Sequence, residues 1–395
     1  MTKRTPKLKP KPSSPKSAVT LVRRIPRLVE LVLYVRAGGR CEFDGCNKPV
    51  LENPLTLTVD NFGEKAHIVA FSRGGPRGGE GSRPADVNAL PNLMLLCPTC
   101  HLEIDRHSDR YPRTVLEKFK DTHERRVELV TSSSPTRKTT IVELKSRIGG
   151  KPVAIPSPDV FAAVAPNFPE DRHGFLIDVS EFDDRDPEFL RLATQRIDNV
   201  LRPLQEKRLE GQPAHHISVF AFGPIPLLAY LGSCLSDKLQ VEFFQFHRDT
   251  KTWCWKDAGA QVRYKFQQRR QGSDRTKVAI LLSLSGTVRL EHLSPDIGAD
   301  FYLYELTLEG QDPNPMFLNT RADLVGFRRA YLKAFGALER DHPPIEVIHL
   351  IPAVPIPIAL MCGHDVLNKA HPALLIYDLD KVNGGYTPTL TINRR

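Results

Sequence analysis

Between Arg40 and Asp105 the chain gathers the side-chain types from which a metal-assisted site is built: four cysteines, two histidines and an asparagine. Cys41 and Cys46 form one close pair, Cys97 and Cys100 another. Two knuckles of soft thiolates are what tetrahedral structural Zn²⁺ requires, and binding it lets a unit with little core fold. Two close pairs in a chain that opens without a hydrophobic leader favour metal over disulfide. The bland reading, reduced thiols in core turns, is weakened because Cys100 runs directly into His101. His67, in the apolar run AHIVAF, or His101 alone would more often be structural. With Asn92 between them they give the order His, Asn, His inside a four-cysteine frame. Cys234, Cys254 and Cys362 stand in apolar surroundings and read as buried thiols.

Such a set needs rigid elements around it. Leu28, Val29, Leu31, Val32, Leu33 and Val35 predict a short helix over 25–36 that feeds the first cysteine pair and ends at Gly38 and Gly39. The Gly-rich stretch 72–83 reads as a mobile loop, whose Arg73, Arg77 and Arg83 either touch phosphates or are simply solvated. Val115, Leu116 and Phe119 among charged neighbours predict an amphipathic closing helix over 114–130. Residues 1–24 hold many Lys and Arg among Pro and Ser with no acidic residue, a disordered basic arm that either rests on DNA or serves solubility alone.

A chain of 395 residues has room for two or three domains. The composition predicts a domain over 25–130, a linker at 131–155, and an α/β domain over 156–395. In the last, apolar runs at 175–179, 216–222 and 241–246 alternate with helical patterns at 187–204 and 227–235, the rhythm of a parallel doubly wound sheet. The rhythm repeats. Gly223-Pro224-Ile225-Pro226 before LLAYLG answers Val354-Pro355-Ile356-Pro357 before IALMCG, an offset of 355 − 224 = 131. At the same offset Phe243, Phe244, Phe246 and Asp249 meet Leu374, Leu375, Tyr377 and Asp380. This pattern predicts two fused Rossmann-like halves, with one pocket between them outside the carboxyl ends of the strands. The net charge of +9 favours a polyanionic partner. No apolar run is long enough for a membrane span, so a cytoplasmic protein without a membrane partner is expected.

The stretch AHI, NLMLLCPTCHLEID, Tyr111-Pro112 and His123-Glu124 resembles the HNH (ββα-metal) endonuclease family over roughly 40–125. The resemblance implies hydrolysis of double-stranded DNA, with His67 as general base, His101 as ligand of a catalytic Mg²⁺ or similar divalent ion, and Asn92 tying its loop to the base strand and orienting His67. The chemistry suits these types: a neutral imidazole takes a proton from water, and a divalent ion stabilises the leaving oxygen. Ala66 stands where many members carry a second metal ligand, Asp, so Glu64 or a backbone and water shell has to complete that site. Asp105 reads as a structural carboxylate.

An HNH unit followed by a duplicated Rossmann-like domain resembles the HNH-SAVED effectors of bacterial CBASS anti-phage defence, whose SAVED domains are related to CARF sensors and bind cyclic oligonucleotides. The resemblance implies an allosteric cyclic dinucleotide or trinucleotide and a homo-oligomer promoted by it. A ligand of that kind asks for stacking faces and polar or basic groups. Trp253 and Trp255 are expected to alternate on a strand with Lys256 beside them, as core or as stacking platforms. Ser180, Glu181, Gly223, Pro224, Ser285, Gly286, Thr287 and Pro355 are expected to line the pocket. The fold class expected is therefore an α+β zinc-stapled ββα-metal domain followed by an α/β domain of two CARF-like halves. Two other readings are a zinc-dependent DNA-binding module without catalysis fused to a nucleotide sensor, and a metabolic nucleotide-binding enzyme. The last is weakened by the lack of a GxGxxG or GxxxxGK[ST] loop.

Overall fold

The computed structural model describes residues 24–53, 56–79, 83–134, 136–148, 151–171, 174–209, 216–235, 240–257, 259, 261–367, 370–380 and 384–392. The expected basic arm lies almost wholly outside these residues, as do residues 80–82 of the Gly-rich loop. The chain divides into two units, Met1–Thr131 and Ser132–Arg395.

The first unit is built from α1 (Arg27–Arg36), β1 (Glu64–His67), β2 (Leu93–Leu96), α2 (Pro98–Arg106) and α3 (Arg113–Ser132). Gly38 and Gly39, both at positive φ, close α1 as expected. β1 and β2 pair antiparallel, Glu64 opposite Leu96 and His67 opposite Leu93, and α2 follows at once. All four β2 residues are buried, and with Leu33, Ile68, Ile104 and Leu116 they make the core. Arg77 is neither solvated nor phosphate-facing. The Arg77 guanidinium is buried and donates to the carbonyls of Ile68 and Ile104, both at 2.7 Å. Arg83 donates to the Phe71 carbonyl. Stripped of water, a guanidinium must satisfy its donors internally, so Arg77 fastens the loop.

The second unit contains β3 (Lys138–Lys145), β4 (Arg147–Ile148), β5 (Lys151–Pro152), α4 (Ser157–Val164), β6 (Phe168–Pro169), β7 (Phe175–Asp178), α5 (Phe189–Leu209), β8 (His216–Phe222), α6 (Ile225–Cys234) and β9 (Gln240–Phe243). It continues with β10 (Tyr264–Arg270), β11 (Val278–Ser283), β12 (Tyr302–Leu308), α7 (Arg321–Asp341), β13 (Val347–Ala353), α8 (Ile356–His364), β14 (Ala373–Leu379) and β15 (Tyr386–Ile392). The expected linker is therefore not one. Its residues 138–145 are a central strand, with β8 on one side and β6 and β7 on the other.

Two parallel sheets repeat one topology. β7-β3-β8-β9 and β12-β11-β13-β14 both have the spatial order second, first, third, fourth; β10 and β15 add antiparallel edges to the latter. β8 and β13 begin 347 − 216 = 131 residues apart, α6 and α8 356 − 225 = 131. The predicted offset slips at the next strand. Val219 pairs with Phe243 and Leu350 with Ile376, so β9 and β14 correspond at 376 − 243 = 133. A slip of two keeps every side chain on its own face.

The halves meet where α6 crosses α8. A Cβ at Gly232 would lie 1.9 Å from the Leu360 carbonyl oxygen, and one at Gly363 1.7 Å from that of Ala229. Since 232 + 131 = 363 and 229 + 131 = 360, these contacts are equivalent under an approximate two-fold relation. Glycine at both positions lets the helices pack backbone against backbone.

Candidate functional site

In the first unit Cys41, Cys46, Cys97 and Cys100 place their sulfurs within 4.8 Å of one another, and Cys46 Sγ lies 3.9 Å from Cys97 Sγ. A tetrahedral ion with sulfur bonds of ~2.3 Å needs sulfur–sulfur edges of about 3.8 Å, so the cluster fits Zn²⁺. Burial pushes the Cys41 thiol up to about 12. The first knuckle is tied to β2 by buried Glu42, whose N–H donates to Leu95 O at 2.9 Å and whose carboxylate accepts Leu95 N–H at 2.5 Å. Among the described residues this is the one group of three or more Cys, His, Asp or Glu side chains that could share an ion.

His67 ends β1, half-buried, with Nε2 3.0 Å from Asn88 Oδ1. With the amide placed this way Nε2 carries the proton and Nδ1 is left as the basic nitrogen. Asn92 works on the backbone instead. Its Oδ1 accepts Val69 N–H at 2.9 Å, and Nδ2 donates to Val69 O at 3.0 Å and Val87 O at 2.8 Å. Asn92 thus clamps the loop to the segment after β1, while Asn88 touches the ring. No motif in the sequence singled out Asn88.

His101, on the first turn of α2, has Nδ1 2.6 Å from Glu64 Oε2 and Nε2 3.5 Å from Asp105 Oδ2. Asp105 also meets Arg77 at 3.3 Å. The imidazole is thus held between two carboxylates that water reaches. All three side chains are partly exposed.

In the second unit the switch point of each half falls between its first and third strands, where a doubly wound sheet takes ligands. In the first half that crevice lies between the ends of β3 and β8, and the residues there are Ser146, Arg147, Gly223 and Pro224. Ser146 is fully buried and its Oγ finds no partner among the described residues. Sequence reasoning missed it because it placed β3 in a linker. Gly223 and Pro224 stand where expected, ahead of α6. Ser180 and Glu181 follow the outer strand β7 instead. The Ser180 hydroxyl is spent on Asp178 at 2.6 Å, its carbonyl accepts Arg147 Nε at 2.6 Å, and Glu181 is exposed. That hydrogen bond from Ser180 helps hold the Asp178 carboxyl below its usual range against the opposing effect of burial.

The second switch point differs. Leu284 and Ser285 both donate their N–H to Ala353 O, at 3.1 and 2.8 Å, and Val354 is buried beside Pro355. Gly286 has nothing within 4 Å of a would-be Cβ, and Thr287 is exposed.

The tryptophans do not lie on a strand. Trp253 is fully buried with Phe220, Phe222 and Phe246 around it at 5.0–5.3 Å between ring centroids, so its faces are already occupied and it is core. Trp255 is nearly buried against the His247 ring, with its indole N–H unpartnered among the described residues. Lys256 pairs with Asp249 at 2.6 Å.

Residues 200–392 match the SAVED family, described as the SMODS-associated and fused to various effectors sensor domain. The matched residues lie wholly within the second unit. Among solved structures the chain is similar to the Acinetobacter baumannii Cap4 SAVED/CARF-domain containing receptor with the cyclic trinucleotide 2'3'3'-cAAA, at 12% identity and TM-score 0.42, covering 75% of this chain and 61% of that one. The same receptor with 3'3'3'-cAAA matches at 10% and 0.43, covering 74% and 62%. The Moraxella osloensis Cap4 receptor matches at 11% and 0.38, covering 74% and 60%. The match thus spans less than two thirds of the length of these relatives. Comparison with curated proteins gives no match. Among the described residues, no helix is long and apolar enough to cross a membrane.

Proposed function

We propose that the chain is a cyclic-oligonucleotide-gated, Mg²⁺-dependent endonuclease of anti-phage defence: the SAVED domain binds the messenger, protomers assemble, and the N-terminal unit cuts double-stranded DNA. The observation that carries the reading is a sensor domain of a family fused to effectors, joined to a four-thiolate unit that holds His67 and His101. In the chemistry proposed, His67 Nδ1 takes the proton from the attacking water while Asn88 fixes its tautomer. His101, with Glu64, would hold the divalent ion that neutralises charge on the leaving oxygen. Zn²⁺ in the thiolate cluster would fold the unit and take no part in the reaction. Purified chain with Mg²⁺ is expected to cut plasmid weakly until a member of a cyclic di- and trinucleotide panel is added. Equal cutting with and without the whole panel sinks the gating.

A second reading, a DNA-binding module without catalysis, is favoured by Ala66 and by the absence, among the described residues, of a second ion-sharing group of the kind the thiolates form. His67→Ala separates the two. On the enzyme reading it lowers cutting by about 10² or more with DNA binding kept; on the other it changes nothing.

A further inference from the structure

The two halves of the SAVED-bearing unit share a topology but not a switch point. In the second half two N–H groups from the loop after β11 donate to Ala353 O, and the side chains there, Leu284 and Val354, are buried and aliphatic. In the first half the corresponding positions are Ser146 and Gly223. Lys145 pairs with Phe222 as Ser283 pairs with Ala353, so Ser146 answers Leu284, and Gly223 answers Val354 by the 131 offset. A hydroxyl and a bare glycine thus replace two aliphatic side chains.

We propose that only the first switch point receives a phosphate group, with Ser146 Oγ as its hydrogen-bond donor, so that the messenger is held asymmetrically by a nearly symmetric domain. The inference rests on the sensor reading above. Three observations meet at this place. Ser146 Oγ is completely buried and has no partner among the described residues, an arrangement that costs free energy until an acceptor arrives. α6 starts beside it with no side-chain cap, and the N–H groups of Ile225 and Leu227 have no intrahelical acceptor, the arrangement that binds anions. Arg147, the next residue, lays its guanidinium along the same strand ends, reaching Ser180 O. Gly223 is half-buried beside it, and a Cβ there would make ordinary contacts with Leu144 Cδ2 at 3.5 Å and Ser146 Cβ at 3.7 Å.

The test uses the full chain and two variants, Ser146→Ala, which removes the donor, and Gly223→Val, which writes the second half's side chain onto the first. Binding of 3'3'3'-cAAA and of a cyclic dinucleotide panel is read by calorimetry. Inorganic phosphate is titrated while the Ile225 and Leu227 amides are followed by NMR, and melting curves confirm folding. Loss of one hydrogen bond to a charged group predicts binding about ten- to a hundredfold weaker in Ser146→Ala. If a cyclic nucleotide binds and both folded variants bind it like the parent, the proposal is overturned while the sensor reading stands. If no cyclic nucleotide binds, yet phosphate shifts both amides in the parent and not in Ser146→Ala, the phosphate site stands and the sensor reading falls. If neither probe registers in the parent, both fall.

Discussion

Gly363→Ala puts a methyl carbon where the Ala229 carbonyl oxygen is 1.7 Å away, with the Ala229 carbon at 2.7 Å and Ser233 N at 3.0 Å. All three are backbone atoms of α6, so no side chain can swing aside. Ordinary contact begins near 3.4 Å, so α8 must withdraw from α6 by 3.4 − 1.7 = 1.7 Å. That shift reaches the buried Leu227, Leu228 and Leu231 on one helix and Ile358 and Leu360 on the other. Overpacking of this kind costs about 1–3 kcal/mol, and a clash with backbone belongs at the upper end. For a unit of this size each kcal/mol lowers the melting temperature by about 2–4 °C, so a loss of roughly 6–12 °C is expected. Calorimetry of the full chain reads it as a shift of the transition belonging to the second unit. Gly286→Ala, which meets nothing within 4 Å, is the control and should leave that transition in place. Gly232→Ala should mirror Gly363→Ala, and the double variant should cost less than the sum, because helices already parted accept the second methyl more easily. A Gly363→Ala chain melting within a degree of the parent would refute the backbone-to-backbone contact.

Chelation of zinc, or Cys97→Ser, is expected to unfold the first unit while the second keeps its transition, since the thiolates anchor a core that contains Leu93 to Leu96; proteolysis with mass spectrometry reads which unit opens. The pH dependence of the second unit follows from His216, His247 and His349, all lowered below 6.5 by burial, with Glu242, Asp249 and Asp296 respectively opposing the shift. A depressed histidine contributes stability that is present above its unfolded value and lost as pH falls through its folded one. The unit should therefore lose stability below about pH 6.5, and His349→Gln, at the ring that meets the Tyr377 hydroxyl at 2.8 Å, should make the loss shallower.

Apolar runs such as β8 and α6 were legible because burial on both faces leaves an unbroken hydrophobic signal. β3 was not. KTTIVELK holds only three apolar residues, Ile141, Val142 and Leu144, between a Ser/Thr/Pro-rich stretch and Gly149-Gly150, and with Lys138, Glu143 and Lys145 among them it carries no strand signal. The first switch point is hidden with β3, and Ser180 and Glu181 follow β7, the strand beside it. Trp253 shows the limit of period two: indoles at alternate positions imply one face only if the backbone is extended, and here the segment is irregular and folds one indole into the Phe cluster. At the first unit, spacing identified the thiolates, yet Asn88 was invisible because its contact with His67 depends on where Asn92 pins the loop.

The crossing of α6 and α8 also sets a clock on synthesis. Gly232 leaves the ribosome 363 − 232 = 131 residues before the residue it must lie against. At ~5–20 residues per second, α6 waits roughly 7–26 s for its partner. Throughout that interval β3, β8 and β9 can pair, but the side of α6 around Gly232 that meets α8 has nothing to cover it. The nascent chain therefore offers chaperones, or a neighbouring nascent chain at the same stage, a hydrophobic helix face that the finished protein buries.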